Sequence, residues 1–331
     1  MSPMRPVVLG LFAISIAVSL ASAQASARRP NIVVMVADDL GYGDVGYHNS
    51  RIRTPRIDAL ADRGIRLEQF YVQPVCSPTR AALMTGRYPM RFGMQVGVVR
   101  PWANYGLPTT EITLPRLLRK AGYYTAAVGK WHLGHARPEY HPNARGFDHH
   151  YGCYNGAIDY FEHTRDGGLD WHRNGVALLE EGYATDLIAQ EACRIIKQHD
   201  TSDPLFLYVP FTAVHTPLQV PQDDLDAYSH FKFKNRQTFA AMTTRMDRGI
   251  GTILDQLEET FDLAETLIIF CSDNGGIRKL GSNGQLRDGK GSVYEGGTRV
   301  PAIVVWKGHL QAGAVVHSPI HIIDWFPTLL K

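Results

Sequence analysis

The chain has 331 residues, 44% of them hydrophobic, and its 34 Lys and Arg nearly balance 32 Asp and Glu for a formal net charge of +2. That length supports one large domain with a sizeable core, or two small ones. The cations are scattered, with no polybasic tract or basic helix, so no nucleic-acid partner is expected and any anion must be held by locally placed charges.

Met1 to Arg5 carry positive charge and Pro6 to Leu20 are uncharged and mostly apolar. Ala21-Ser22-Ala23 and Ala25-Ser26-Ala27 each offer the small-x-small pattern of a signal peptidase site, which predicts a signal peptide over 1–27, cut after Ala23 or Ala27. The apolar stretch is short for a bilayer span, so export without membrane attachment after cleavage is expected. No Asn satisfies the Asn-x-Ser/Thr rule. That favours a periplasmic or secreted protein over one sorted to lysosomes through N-glycans.

Beyond the leader, residues 28–331 read as a single α/β domain. The run NIVVMVA (Asn31 to Ala37) is continuous enough to be a strand buried on both faces. Thr54-Pro55 supplies an N-cap and a first-turn proline for a helix with Ile57, Leu60 and Ala61 on one stripe, stopped by Gly64. A helix over Leu114 to Ala121 leads into a strand at Tyr124 to His132. Tyr183 to His199 carries a helical stripe of Leu187, Ile188, Ala192, Ile195 and Ile196, and feeds the strand Leu205 to Phe211. A longer helix, with Phe239, Met242, Met246, Ile250, Ile253 and Leu257 on one face, precedes strands at Thr266 to Cys271 and Pro301 to Trp306. Such alternation predicts a mostly parallel sheet sandwiched by helices. His321 to Lys331 begins a helix of about one turn, too short to stand alone, and reads as a truncated end or a frayed one. Of the four cysteines, Cys193 and Cys271 read as buried small hydrophobes and Cys153 as free or paired, so no disulfide framework is expected.

Sites in open parallel sheets form at the carboxyl ends of strands. Asp38-Asp39 follows one apolar run and Asp273-Asn274 another. If those strands are neighbours, three carboxylates and an amide converge, and their mutual repulsion calls for a hard cation, Ca²⁺ or Mg²⁺ rather than zinc. Asp-Asp and Asp-Asn-Gly are also ordinary turns. In CSPTRAALMTGR, Pro78 suits the first turn of a helix, which places Cys76 at a helix N-terminus where amides and dipole favour anions. Arg80, one turn on, is positioned to reach back to residue 76 or a bound oxyanion. On these residues alone, a structural cysteine and a thiol hydrolase with a histidine base both remain open.

CSPTR, with its extension through Leu83 to Thr85-Gly86-Arg87, resembles the Cys-x-Pro-x-Arg signature of the sulfatases, with Thr79 where Ser is commoner. The similarity continues through ADDLGYGD (Ala37 to Asp44), GKWHLG (Gly129 to Gly134), RGFD (Arg145 to Asp148), HTPLQVP (His215 to Pro221), SDNGG (Ser272 to Gly276) and EGGTRVP (Glu295 to Pro301). HTPLQVP and the helix after it look most like the arylsulfatase B (N-acetylgalactosamine-4-sulfatase) branch. The resemblance implies an alkaline phosphatase-like α/β fold whose smaller C-terminal domain is missing here. It also implies a sulfuric ester hydrolase acting on a sulfated carbohydrate, such as a terminal N-acetylgalactosamine sulfate, or on an aryl sulfate.

The family match further implies that Cys76 is oxidised to formylglycine (3-oxoalanine) by a formylglycine-generating enzyme. It places one Ca²⁺, rather than Mg²⁺, on Asp38, Asp39, Asp273 and Asn274 with the modified Cys76. It assigns Arg80 to the site, Lys130 to the sulfate, His132 to the formylglycine hydroxyl, His215 to the sulfate and the leaving oxygen, and Lys290, or Arg287 in its place, to the sulfate. Lys130 and His132 lie two apart in a strand-like segment, so they are expected on one face with Trp131 turned away. His149, His150 and His172 are expected in loops within reach of substrate, and the aromatic and histidine-rich loops from Tyr151 to Trp171 are read equally as a platform for a sugar ring or as packing. A phosphomonoester or phosphonate hydrolase and a non-catalytic carbohydrate-binding remnant are the competing readings.

Overall fold

The apolar run Asn31–Ala37 forms strand β1, and all of its residues are buried. The computed structural model describes residues 29–331, Val96 excepted, so the leader lies outside the described residues. Nine further strands join β1 in one sheet: β2 (Ile65–Leu67), β3 (Tyr124–Val128), β4 (His149–Gly152), β5 (His172–Arg173), β6 (Val176–Ala177), β7 (Leu205–Pro210), β8 (Thr266–Ser272), β9 (Ala302–Val305) and β10 (Ala314–Val316). Their spatial order is β10-β2-β9-β8-β1-β7-β3-β4-β5-β6. The five central strands, β8-β1-β7-β3-β4, are parallel. Antiparallel pairings occur only toward the two edges.

The helices include α1 (Pro55–Arg63), α2 (Cys76–Thr85), α3 (Leu114–Lys120), α4 (Ala184–Gln198), the short α5 (Gln222–Asp226) and α6 (Lys234–Thr260). Because strand side chains alternate, β1 feeds two cores. Val33, Met35 and Ala37 pack with residues of α1, α4 and α6. Ile32, Val34 and Val36 pack with α2 and α3 on the opposite face. The parallel sheet covered on both faces is thus the one the alternation predicts. The segment near the end does form a short helix, Trp325–Leu329. It is held by burying Ile322, Trp325 and Leu329 in the second core rather than by its own helicity.

Several local expectations change. Thr54 stands at the N-cap of α1 but makes no side-chain cap. Its hydroxyl instead accepts from the Gly46 amide at 2.7 Å and donates to Asp58 at 3.1 Å. The strand expected through His132 ends at Val128. Gly129 turns the chain there with φ +132°, where a Cβ would lie 2.0 Å from the Pro210 carbonyl oxygen. All four cysteines are free, and Cys193 is only half-buried, its Sγ 3.6 Å from the Thr252 carbonyl on α6. No helix among the described residues is long and apolar enough to cross a membrane.

Candidate active site

Strands β1 and β8 run side by side in register, Ala37 opposite Ser272. The residues that follow them therefore leave the sheet together. Asp38, Asp39, Asp273 and Asn274 are all fully buried. Asp39 takes a left-handed φ of +64°, a conformation Asp tolerates better than most residues. Its amide donates to Asp273 Oδ1 at 3.3 Å, and Asn274 Nδ2 donates to Asp39 Oδ1 at 2.7 Å.

Two oxygens in this cluster, Asp38 Oδ1 and Asn274 Oδ1, have no hydrogen-bond partner. Burial and the Asp273 carboxylate push Asp38 up to about 7, against the pull of Lys130. Burial acts the same way on Asp39, but Lys290 and His215 overcome it and hold that carboxyl down at about 2. Ligand atoms of Asp38, Asp39, Cys76 and His215 all lie within 4.8 Å of one another. Buried, crowded carboxylates with unused lone pairs suit a hard divalent cation. Asp273 is already engaged, since its Oδ2 accepts two bonds from Arg80.

Cys76 is the first residue of α2, and every residue of that helix is buried. Each polar residue of CSPTR has work in the fold. Ser77 Oγ donates to the His132 carbonyl at 2.8 Å and accepts from the Val99 amide at 3.0 Å. Thr79 Oγ1 accepts from the Gln73 amide and donates to the Gln73 carbonyl. A hydroxyl is what position 79 uses, so Thr serves where Ser is commoner. Arg80 does not reach back to residue 76. Its Nε and Nη2 bind Asp273 at 3.0 and 2.7 Å, and Nη1 donates to the Lys130 carbonyl at 2.7 Å. Burial pushes the Cys76 thiol up to about 11, against the nearby lysines. A thiol so held is protonated at neutral pH, which disfavours a resting thiolate nucleophile.

The remaining basic side chains converge from three loops. Lys130 is fully buried and ion-pairs with Asp38. His132 Nε2–H donates to the Val99 carbonyl at 2.9 Å, leaving Nδ1 buried without a partner. Trp131 turns away, donating from Nε1 to the Tyr140 carbonyl. The pair Lys130 and His132 thus reaches one site through a loop with His132 at φ +60°, rather than through strand alternation. His215 donates from Nδ1 to the Thr216 carbonyl at 2.7 Å, so its Nε2, 3.8 Å from Asp39, is the free nitrogen. Burial lowers this ring to about 4 despite Asp39. Lys290 Nζ lies 2.7 and 2.8 Å from the two oxygens of Asp39. Arg287, its possible substitute, instead stacks on Tyr294, 3.6 Å from the ring centroid.

A cleft of about 220 Å³ opens over Cys76, lined also by His132, His215, Lys290, Arg100 and Arg165. The two arginines were not foreseen, because they lie in segments without periodic pattern. Three histidines expected in loops sit elsewhere. His149 and His150 are on β4 and His172 on β5, and none lines the cleft. His149 binds Glu191 at 2.8 Å, while His150 and His172 stack on buried Tyr154. Tyr151 and Trp171 pack edge to face with centroids 5.1 Å apart, so both are core rather than a sugar platform.

A family model described as Sulfatase matches residues 30–331. Arylsulfatase J of Mus musculus is 39% identical over 316 residues, which is 93% of this chain and 53% of that protein. N-acetylgalactosamine-6-sulfatase of Homo sapiens is 35% identical over 334 residues, 93% of this chain and 63% of that protein. The crystal structure of Ps i-CgsB in complex with k-i-k-neocarrahexaose superposes with a TM-score of 0.87 at 38% identity, covering 91% of this chain and 71% of that one. The chain therefore spans between 53% and 63% of the length of these two curated relatives.

Proposed function

The chain belongs to the sulfatase family, within the alkaline phosphatase-like superfamily, and from that premise we propose that its site hydrolyses the sulfate ester of a carbohydrate. The observation that carries this is the meeting of Cys76, Asp38, Asp39 and His215 within 4.8 Å, flanked by Lys130 and Lys290. One relative is named an N-acetylgalactosamine-6-sulfatase and one solved structure holds k-i-k-neocarrahexaose, which supports a sugar substrate over a simple aryl sulfate. The leader supports an exported protein, periplasmic or secreted.

Asp38, Asp39, Asp273 and Asn274, with residue 76, would hold one Ca²⁺, whose charge would lower the pKa of a bound hydroxyl and neutralise a sulfate oxygen. Oxidation of Cys76 to formylglycine by a generating enzyme would supply, as the hydrate, one hydroxyl to attack sulfur and a second whose deprotonation expels sulfate. The chain's own groups do the rest. Lys130 and Lys290 present positive charge to the oxyanion, where charge grows in the transition state. His132 offers its unpartnered Nδ1 as a proton acceptor beside residue 76. His215 keeps Nδ1–H on the Thr216 carbonyl, so Nε2 faces the site as an acceptor and passes a proton to the leaving oxygen only after taking one up with the anionic substrate bound.

Parallel assays with matched aryl sulfate and aryl phosphate esters test the reaction class. A larger kcat/KM for the sulfate is expected. A larger value for the phosphate would make the chain a phosphoester hydrolase instead. Binding of sulfated sugars with no turnover of either ester, by protein whose Cys76 is converted, would make it a carbohydrate-binding remnant.

A further inference from the structure

Each inner cation of the site faces a carboxylate: Lys130 meets Asp38, Lys290 meets Asp39, and Arg80 meets Asp273. The two arginines on the cleft wall differ. Among the described residues, the Arg100 side chain has no ion pair, hydrogen bond or ring contact, yet it lines the same cleft as Cys76. Its backbone is nonetheless anchored beside the site. The preceding residue, Val99, donates its amide to Ser77 Oγ at 3.0 Å and accepts from His132 Nε2 at 2.9 Å. Arg165 comes to the cleft from a different segment, a hairpin in which Thr164–Arg165 pairs with Gly168–Leu169. It forms an exposed ion pair with its neighbour Asp166, Nε to Oδ1 3.4 Å, in which Nε makes no hydrogen bond and the rest of the fork is left for another anion.

A singly charged sulfate ester is served by the lysines and histidines around residue 76. Two further guanidinium groups without a well-formed acceptor, on the wall of the same cleft, have no role in that step. A guanidinium presents a planar fork of donors matched to sulfate or carboxylate oxygens, and in a confined cleft it draws a second anion. We propose that Arg100 and Arg165 form a second anion subsite in the cleft. The preferred substrates are then glycans that carry another sulfate or a carboxylate close to the sulfate ester being cleaved. This rests on the sulfate-ester reading of the site.

Binding to the full chain carrying Cys76→Ala, which cannot turn over, tests the subsite apart from catalysis. The probes are a disaccharide with one sulfate on each ring, its monosulfated counterpart, and the same monosulfate with a uronate carboxylate on the second ring. Adding Arg100→Ala or Arg165→Ala should weaken binding of a dianionic probe about tenfold and leave the monosulfate within about twofold. Whether the disulfate or the uronate responds identifies the second anion. Equal affinity for all three probes, or equal losses on all three in the arginine variants, would overturn the proposal. With Cys76 intact and converted, both arginine variants are expected to lose the parent's lower KM for the dianionic ester relative to the monosulfated one. Failure of the parent to cleave any ester would sink the reaction reading and leave the binding result standing by itself.

Discussion

At the scale of single residues, Arg80 shows how the site is held rather than how it reacts. Its guanidinium is 1% exposed, donates two bonds to Asp273 Oδ2 and one to the Lys130 carbonyl, and so ties α2, the end of β8 and the Gly129–His132 loop together. Lys keeps the charge but cannot reproduce that fork. Arg80→Lys is expected to lower stability by about 2 kcal/mol, since it keeps the charge but leaves part of the buried three-bond fork unmade. Urea unfolding followed by circular dichroism measures this, and an unchanged midpoint would count against the bridging role. The signature residues were legible as a pattern, while their contacts were not. Sequence put Arg80 within reach of residue 76, but the carboxylate that captures it is 193 positions away along the chain. No local spacing encodes that pairing.

Among elements, the strands around the site were the clearest part of the sequence. The apolar runs of β1, β7 and β8 are buried at every position, and continuous runs of that kind have few alternatives to a central parallel strand. Loop geometry was harder. Alternation gave the right face for Lys130 and His132 for the wrong reason, because the chain leaves the sheet at Gly129 and turns through a left-handed His132. The histidines of β4 and β5 misled because a His in a Gly- and Tyr-rich stretch looks like a loop residue, and only the sheet shows it is packed.

One of these histidines belongs to a knot that joins helix to sheet. Glu191 on α4 is 4% exposed and binds His149 of β4 at 2.8 Å, Arg173 of β5 at 3.2 Å and Arg194 at 2.6 Å. Burial would raise its carboxyl, but Arg194, His149 and Arg173 outweigh that and hold it at about 2, below the ordinary 4.5. A carboxyl depressed on folding stabilises the native state above its unfolded pKa, and that contribution is lost as pH falls from about 4.5 toward 2. Glu191→Gln should therefore lower thermal stability at neutral pH and flatten its decline between those values. A decline as steep as that of the unmodified chain, in melting curves across that range, would show that another carboxylate governs it.

Taken whole, the molecule brings two unpartnered buried oxygens and several carboxylates together where β1 and β8 end. Asp38 Oδ1 and Asn274 Oδ1 are buried without partners, beside carboxylates that repel one another. A bound divalent cation would relieve both defects, so folding and metal should be linked. Stripping the protein with a chelator is expected to lower the melting temperature, and Ca²⁺ to restore it. The gain would be about 2.7 kcal/mol at a hundred times the dissociation constant. The same melting point with chelator and with Ca²⁺ would mean that the cluster is satisfied without metal.

The proposed reaction turns on residue 76, which as encoded is a buried thiol pushed up to about 11 and without a hydrogen-bonded base among the described residues. Such a group does not perform ester hydrolysis unaided. Mass spectrometry of the peptide spanning Cys76 to Arg80, taken from a preparation that releases sulfate from an ester, tests this most directly. The aldehyde mass of formylglycine is expected in proportion to activity. A fully active preparation in which residue 76 is wholly the unmodified thiol would contradict it.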